Sequence, residues 1–232
     1  MRKRPIKSTL IALTIAGLGL SLLTACGGAS APTNSTSPTA SAAPCPGVVT
    51  PLTQAEIDEA LFMREEEKLA RDVYDELAAY WLAQAGTVPV VTIADNISDS
   101  EQQHMDSMKA VLDCYGLPDP VDAAETPGVF VNPELGQLYT TLVAKGRLSQ
   151  LDALKVGALI EEVDIADLQA SIEISQPAYT DAVYASLMCG SRNHMRAFVG
   201  QIIKTEGSYT AQAIDQAMVD AIVNSPMENC GR

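Results

Sequence analysis

The sequence predicts an all-α protein built from two helical hairpins that are joined by one long crossover. Four long segments carry apolar residues at helical spacing and contain few turn residues. Only VFV at residues 129–131 has the character of a strand. A long connection, residues 116–148, separates the second long segment from the third. These three observations favour two packed hairpins over a simple up-and-down arrangement of helices.

Residues 1–25 read as a secretion signal. MRKRPIK carries four cations, TLIALTIAGLGLSLL is an apolar run of 15 residues, and LTAC ends at Cys26. A basic start, a short apolar core and small residues before the cleavage point are typical of a signal rather than of a membrane-spanning helix. The LTAC–Gly ending resembles the bacterial lipoprotein signal, which implies lipidation of Cys26 and anchoring to a membrane of the cell envelope, outside the cytoplasm. The alternative is a plain signal peptide with a chance cysteine.

The remaining chain divides into a tether and one domain. Residues 26–46 contain Gly, Ser, Thr, Ala and Pro without any charge, so we expect a flexible tether behind the lipid-bearing cysteine. Residues 47–232 suit one domain by length. Residues 1–25 hold four of the 15 Lys and Arg residues and none of the 29 Asp and Glu residues, so the mature net charge is −18. This charge argues against nucleic acid as a partner and suits a protein that binds cations.

The helices are assigned from their start and stop signals. The first begins with a capping box, Thr53 with Glu56, and the third begins at Ser149. The long helices are predicted at about residues 53–83, 91–115, 149–172 and 177–205. Shorter helices are predicted at 133–144, capped by Asn132, and near 210–223. The connectivity is that of a ferritin-like four-helix bundle with an added C-terminal helix.

Each long helix places an ionisable side chain in the middle of its apolar stripe. These residues, which include both histidines of the chain, are Glu66, Glu101, His104, Glu161 and His194. Buried charges are usually paired or bound to metal. Glu, then Glu-x-x-His, then Glu, then His on successive helices is the pattern of a carboxylate-bridged centre of two metal ions in a bundle core. We expect the glutamates to bridge or chelate the ions and each histidine to cap one, with iron as the metal and manganese or zinc as alternatives.

Some groups near these ligands leave alternatives open. A second Glu-x-x-His motif would need Glu at position 191, where the chain has Ser191. Glu162 or Asp164 would supply the missing oxygen, or the site is asymmetric or holds one ion. Arg71 and Arg192 would orient ligands, or form buried ion pairs with the glutamates in a protein without metal. Glu65 and Glu67, which flank Glu66, are expected on a solvated face.

Four motifs carry a resemblance to a known family. They are MREEEKLARDVY (63–74), SEQQHMD (100–106), VGALIEEVDIADL (156–168) and GSRNHMRAF (190–198). In this order they resemble a ferritin-like family of bacteria and archaea, domain of unknown function 2202, over about residues 54–203. The resemblance implies a ferritin-like bundle with a dinuclear metal site, and it implies no activity. The family also has GSRNH on its last helix, so Ser191 is not peculiar to this chain. Because the fourth glutamate is missing, the ferroxidase chemistry of true ferritins is not carried over.

The cysteines predict two disulfides. With Cys26 taken by lipid, Cys45, Cys114, Cys189 and Cys230 remain, an even number in an exported protein. In an antiparallel first hairpin, Cys45 lies near the end of the helix that carries Cys114. If the tail folds back along the last helix, Cys189 meets Cys230. We therefore predict Cys45–Cys114 and Cys189–Cys230, with free buried thiols as the alternative.

The function that these features favour is that of an exported, membrane-tethered protein with a dinuclear metal centre. Redox chemistry toward dioxygen, peroxide or Fe(II) is the enzymatic interpretation. A lipoprotein that binds or senses metal without turnover is the second interpretation. A metal-free helical interaction module is the third.

Overall fold

The computed structural model describes residues 50–230 and shows six α-helices and no strand in that range. The helices are α1 (Gln54–Ala85), α2 (Pro89–Tyr115), α3 (Pro133–Gly146), α4 (Gln150–Ile174), α5 (Ala178–Glu206) and α6 (Gln216–Val223). The all-α prediction is confirmed for these residues. The predicted signal segment, Cys26, the tether and Cys45 lie outside the described residues.

The predicted helix starts agree with the observed caps. Thr53 and Glu56 form the capping box of α1, and Ser149 caps α4 through the N–H of Asp152. Asn132 caps α3, as predicted. Gly116 ends α2 with φ +64°, a left-handed conformation that glycine adopts without steric cost.

In two places side-chain carboxylates accept the backbone N–H groups, and in the second of them the predicted start of a helix is wrong. Residues 129–131 form no strand, since the N–H of Val131 donates to Glu65 rather than to a neighbouring strand. The tail helix begins at Gln216 instead of near residue 210. There the N–H groups of residues 212–214 donate to the carboxylate of Glu162, which holds this segment in a non-helical path.

Each hairpin pairs its two helices in antiparallel fashion. In the first, Asp75 of α1 contacts Ser98 of α2, and, further back along α1, Glu67 contacts His104. In the second, Ser191 of α5 contacts Asp164 of α4. The connections of three residues at 86–88 and at 175–177 require this antiparallel pairing.

The two hairpins pack on each other through α1 against α4 and α2 against α5. On the first side, Tyr74 contacts Glu161 and Glu59 contacts Ser171, so these two helices are also antiparallel. On the second side, His194 contacts Ser100. Two apolar clusters fill the interior, one around Val73 and Phe198 and one around Met108.

The crossover covers the outer face of α1. Arg64 pairs with Asp119, and Lys68 donates to the carbonyl oxygens of Thr126 and Val129. Glu65 is 4% exposed and Glu67 is 1% exposed, so the expectation of a solvated face for these two glutamates is wrong. The crossover hides Glu65, whereas Glu67 points between the helices. Within residues 50–230, no helix is both long and apolar enough to cross a membrane.

Candidate metal centre

Two groups of potential metal ligands meet between the hairpins. One consists of Glu67, Glu101 and His104, and the other consists of Glu101, Glu161 and His194. Within each group, the candidate ligand atoms all lie within 4.8 Å of one another. All five side chains are buried. Each of the four long helices contributes to the centre, and Glu101 belongs to both groups.

Glu101 lies between the two imidazoles. Its Oε2 is 2.8 Å from Nδ1 of His104, and its Oε1 is 2.8 Å from Nδ1 of His194. The centroids of the two rings are 5.4 Å apart, with the rings inclined by 30°. One carboxylate thus faces two nitrogen ligands with a different oxygen for each, which is the arrangement that a bridging carboxylate requires.

The surroundings fix which nitrogen each histidine presents. Nε2 of His194 lies 2.9 Å from Oγ of Ser100, so Nδ1 faces the centre. Nδ1 of His104 lies 3.2 Å from Oε2 of Glu67, and the other side of this ring packs on Gly190. A Cβ atom at position 190 would lie 2.4 Å from Nε2 of His104, so only glycine leaves room for the ring.

Tyr74 fixes the carboxylate of the second group. Its hydroxyl donates a hydrogen bond of 2.5 Å to Oε1 of Glu161. Oε2 of Glu161 lies 3.5 Å from Nδ1 of His194. Burial, with the charges of Glu161 and Glu101 added, raises the pKa of Tyr74 well above its ordinary value, so the phenol remains a donor. Hydrogen bonds of this kind orient metal-binding carboxylates.

The protonation of each histidine of the centre depends on the charges of the neighbouring glutamates. Burial lowers the pKa of His194, but the charges of Glu101 and Glu161 outweigh it and raise that pKa to about 10. The same balance, with Glu101 and Glu67, raises the pKa of His104 well above its ordinary value. Burial raises the pKa of Glu67 to about 7, although His104 acts against it. Without metal, protonated imidazoles therefore compensate the negative charge.

Unpaired buried atoms provide a test of whether the residues fit metal ions. Oε1 of Glu67 and Oδ1 of Asp164 are buried and make no hydrogen bond within the described part of the chain. Buried polar atoms of native proteins nearly always have partners. The two ligand groups together offer the carboxylates of three glutamates and the imidazoles of two histidines. Such a set of oxygen and nitrogen ligands suits iron, manganese or zinc. The residues therefore fit a pair of such ions.

The structure brings together four of the five ligands predicted from the sequence, and the fifth lies apart from them. Glu66 belongs to neither group, and its neighbour Glu67 faces His104 instead. Glu66 lies toward α4, where the charges of Asp167 and Asp164 add to burial in raising its pKa. The sequence contained a signal for Glu67. Spacings of three and four place five residues on one face of α1, namely Ala60, Met63, Glu67, Ala70 and Tyr74. In the structure, each of them is at most 5% exposed.

Asp164 and Ser191, predicted as additional candidates, lie together beside the centre. Oγ of Ser191 contacts Oδ2 of Asp164. Burial raises the pKa of Asp164 well above its ordinary value, and the charges of Glu67, Glu161 and Glu101 raise it further. Asp164 therefore lies close to the carboxylates of the centre but belongs to neither ligand group, and Ser191 stands where a second Glu-x-x-His motif would have glutamate.

The other three candidates have partners elsewhere. Glu162 accepts hydrogen bonds from Tyr209 and from the N–H groups of residues 212–214. Arg71 pairs with Asp72 and donates to Gln102, and Arg192 pairs with Glu228. Neither arginine therefore forms an ion pair with a glutamate of the centre, contrary to the metal-free alternative. These residues stabilise the framework around the site.

The cysteines were predicted in two pairs, one of which lies within the described residues. Sγ of Cys189 is bonded to Sγ of Cys230, as predicted, and this bond fastens the C-terminal segment to α5. Cys114 is also in a disulfide, and its predicted partner Cys45 lies outside the described residues.

Comparisons with known proteins agree on one family. The model of the uncharacterized protein domain DUF2202 matches residues 56–226. The uncharacterized protein MJ0754 of Methanocaldococcus jannaschii is 46% identical over 178 residues, which are 77% of this chain and 91% of that protein. The crystal structure of the hypothetical protein MJ0754 from Methanococcus jannaschii is similar, with a TM-score of 0.72 and 44% identity over 78% of this chain and 98% of that one. This chain therefore belongs to the DUF2202 family.

Proposed function

We propose that this protein is a ferritin-like four-helix bundle that holds two metal ions between its hairpins, with iron as the metal. The observation that carries the proposal is the position of Glu101, whose two oxygens each face a different histidine. A carboxylate placed in this way joins two adjacent cations. We further propose that the bundle is exported and tethered to a membrane of the cell envelope through a lipid on Cys26, as the N-terminal sequence indicates.

The residues have distinct roles in this proposal. Glu101 would be shared by the two ions, His104 and Glu67 would hold one of them, and His194 and Glu161 would hold the other. Tyr74 holds Glu161 in place through its hydrogen bond. Burial keeps bulk water away from the ligands, which strengthens their interactions with cations. Two bound iron ions would supply the redox chemistry toward dioxygen, peroxide or Fe(II).

A protein that binds or senses metal without turnover is the second candidate. Two features support it, namely the net charge of −18 predicted for the chain after cleavage before Cys26, and Ser191 at the position of a fourth glutamate. The contact of Ser191 with Asp164 occupies one oxygen of that carboxyl group. A centre of this composition holds cations whether or not it also turns over.

Oxygen consumption separates the two candidates. The full-length chain is loaded anaerobically with Fe(II) and then mixed with oxygenated buffer in an oxygen electrode. The redox proposal predicts uptake that is lost in H194A and in wild-type protein loaded with Zn(II), which has no redox chemistry. Iron-loaded wild-type protein that consumes no oxygen or peroxide would leave the metal-binding candidate as the function.

A further inference from the structure

The last described residues of the chain, 224–230, lie along the outer face of α5. We call this segment the strap. Sγ of Cys230 is bonded to Sγ of Cys189 of α5, which fastens the end of the strap. Residues 224–227 are exposed, and no side chain of the strap belongs to either apolar cluster. The strap is therefore held by one disulfide and by polar contacts rather than by an apolar core.

The polar contacts converge on Glu228. Nε and Nη2 of Arg192 lie 2.8 Å and 2.5 Å from its two carboxylate oxygens, and Nη2 of Arg196 lies 2.7 Å from one of them. Asn193 binds the backbone of the same residue, because its Oδ1 accepts the N–H of Glu228 and its Nδ2 donates to the carbonyl oxygen. Three side chains of α5 thus hold one residue of the strap.

The two turns of α5 that hold the strap also carry one side of the metal centre. Gly190 packs on His104, and Nδ1 of His194 faces Glu101. Cys189 and Arg192 lie about 140° to 160° around the helix from His194. The strap and the centre therefore contact opposite faces of the same two turns, so the strap restrains the part of α5 that presents His194.

The disulfide is the part of this fastening that water does not weaken. The side chains of Arg192 and Glu228 are 26% and 32% exposed. Ion pairs that water reaches contribute little to stability and are screened by salt. The disulfide joins residues 41 positions apart and keeps the strap beside α5 whether or not the polar contacts are made. We therefore expect the contacts of Glu228 to open readily once the disulfide is broken.

Cys230 is the sulfur that an external thiol reaches. Cys189 is 8% exposed, whereas Cys230 is half-buried and follows an exposed stretch of the strap. A dithiol attacks Sγ of Cys230 and forms a mixed disulfide, while Sγ of Cys189 leaves and takes a proton. The second thiol of the reductant then displaces Cys230. The protein gains two thiols, and the dithiol, which supplies the two electrons and two protons, leaves as a disulfide.

We propose that the Cys189–Cys230 disulfide is a redox-sensitive latch, which a dithiol opens to release the strap from α5 and to weaken the retention of metal at His194. The link to metal rests on the proposed function, because it requires a centre to be filled. Coupling of this kind is reciprocal, so bound metal makes the latch harder to reduce.

Hydrogen exchange of the metal-free, full-length chain tests the release of the strap. The oxidised protein is compared with the dithiothreitol-reduced protein and with C189S/C230S, which removes this disulfide and leaves that of Cys114. The control is E228Q, which removes the charge but keeps the disulfide and the backbone contacts with Asn193. Thermal unfolding verifies that the variants are folded, and the reduced wild type gives the same comparison without a substitution.

We expect the N–H of Glu228 to exchange about tenfold faster or more in the reduced protein and in C189S/C230S. The N–H of residue 228 in oxidised E228Q should exchange at nearly the wild-type rate. An unchanged rate after reduction would overturn the proposal, since polar contacts would then hold the strap alone. Exchange in E228Q as fast as in C189S/C230S would also overturn it, since the ion pairs would then be the fastening.

Release of Co(II) to an excess of chelator tests the link to the centre. The oxidised wild type, C189S/C230S and E228Q are loaded without reductant, so that neither the latch nor the solution offers thiols to the metal. We expect release about fivefold faster in C189S/C230S and unchanged in E228Q. Equal rates in C189S/C230S and wild type would overturn the link. Wild-type protein that binds no Co(II) would contradict the proposed function and the link together, whereas hydrogen exchange would still decide whether the latch releases the strap.

Discussion

His104 and His194 lie with their ring centroids 5.4 Å apart and turn their Nδ1 atoms toward the same carboxylate. They come from different hairpins, so their approach depends on how α2 packs against α5. Gly190 makes this packing possible, because a larger residue would collide with His104. The geometry of the centre is therefore a property of the whole fold rather than of one sequence motif.

The first prediction separates the adjacent glutamates of α1. Glu67 faces His104, whereas Glu66 belongs to neither ligand group. We expect E67Q to bind about one metal ion fewer per chain, while E66Q, at an equally buried position, keeps the wild-type content at equilibrium. Metal analysis after dialysis measures both. Loss of metal in E66Q alone would contradict this assignment.

The second prediction concerns the close approach at Gly190. A Cβ atom there would lie 2.4 Å from Nε2 of His104, so G190A must displace the ring. We expect a loss of about 1–3 kcal/mol in the free energy of unfolding, together with weaker metal binding. Gly200 of the same helix is the matched control, since no atom lies within 4 Å of a Cβ there. G200A should be neutral or slightly stabilising, and equal effects of the two changes would contradict the prediction.

The third prediction separates the adjacent glutamates of α4. Glu161 contacts His194 and Tyr74, whereas Glu162 accepts N–H groups of the segment before α6. We expect E161Q to lower the metal content with little change in stability. We expect E162Q to lower the free energy of unfolding by about 1–3 kcal/mol, because the part-buried N–H groups of residues 212–214 lose hydrogen bonds to a carboxylate, and to leave the metal content unchanged. Calorimetry and metal analysis together measure this pair, and the opposite pattern would make Glu162 the ligand.

The fourth prediction is that protons and metal ions compete for the centre. The pKa of His194 is raised to about 10 and that of Glu67 to about 7, so binding must release protons from both near neutral pH. We expect the affinity for Co(II) to rise about tenfold or more per pH unit from about pH 6 to pH 8. Competition with a chelator of known affinity measures this dependence. Equal affinities at both ends of the range would contradict it.

The same shifts set the stability of the metal-free protein. Glu67 has a folded pKa of about 7 against an ordinary value of 4.5, so its contribution to stability falls as the pH rises between these values. His194 holds its proton up to a pKa of about 10 against an ordinary 6.5, so its favourable contribution is lost over that higher range. Both effects lower the melting temperature of the metal-free protein toward alkaline pH. Calorimetry of chelator-treated protein should show this trend, and added metal should reverse it.

The sequence predicted the helices and four of the five residues that the two candidate ligand groups bring together, and the differences have physical causes. Periodicity and caps located the four long helices to within a few residues, because their patterns are local. Glu66 was chosen over Glu67 because α1 packs on both α2 and α4, which makes its apolar arc wide and leaves its centre undefined. Glu65 was expected in solvent because the crossover that covers it comes 66 residues later in the chain. Contacts of such long range leave no periodic signal.

Elemental analysis of the purified full-length chain, before and after anaerobic loading with Fe(II), tests the dinuclear centre most directly. The geometry around Glu101 predicts about two metal ions per chain, with lower content in H104A and in H194A. Wild-type protein that holds no metal under either condition would contradict the centre. The inward glutamates and histidines would then be structural, and an interaction module without metal would be the better interpretation.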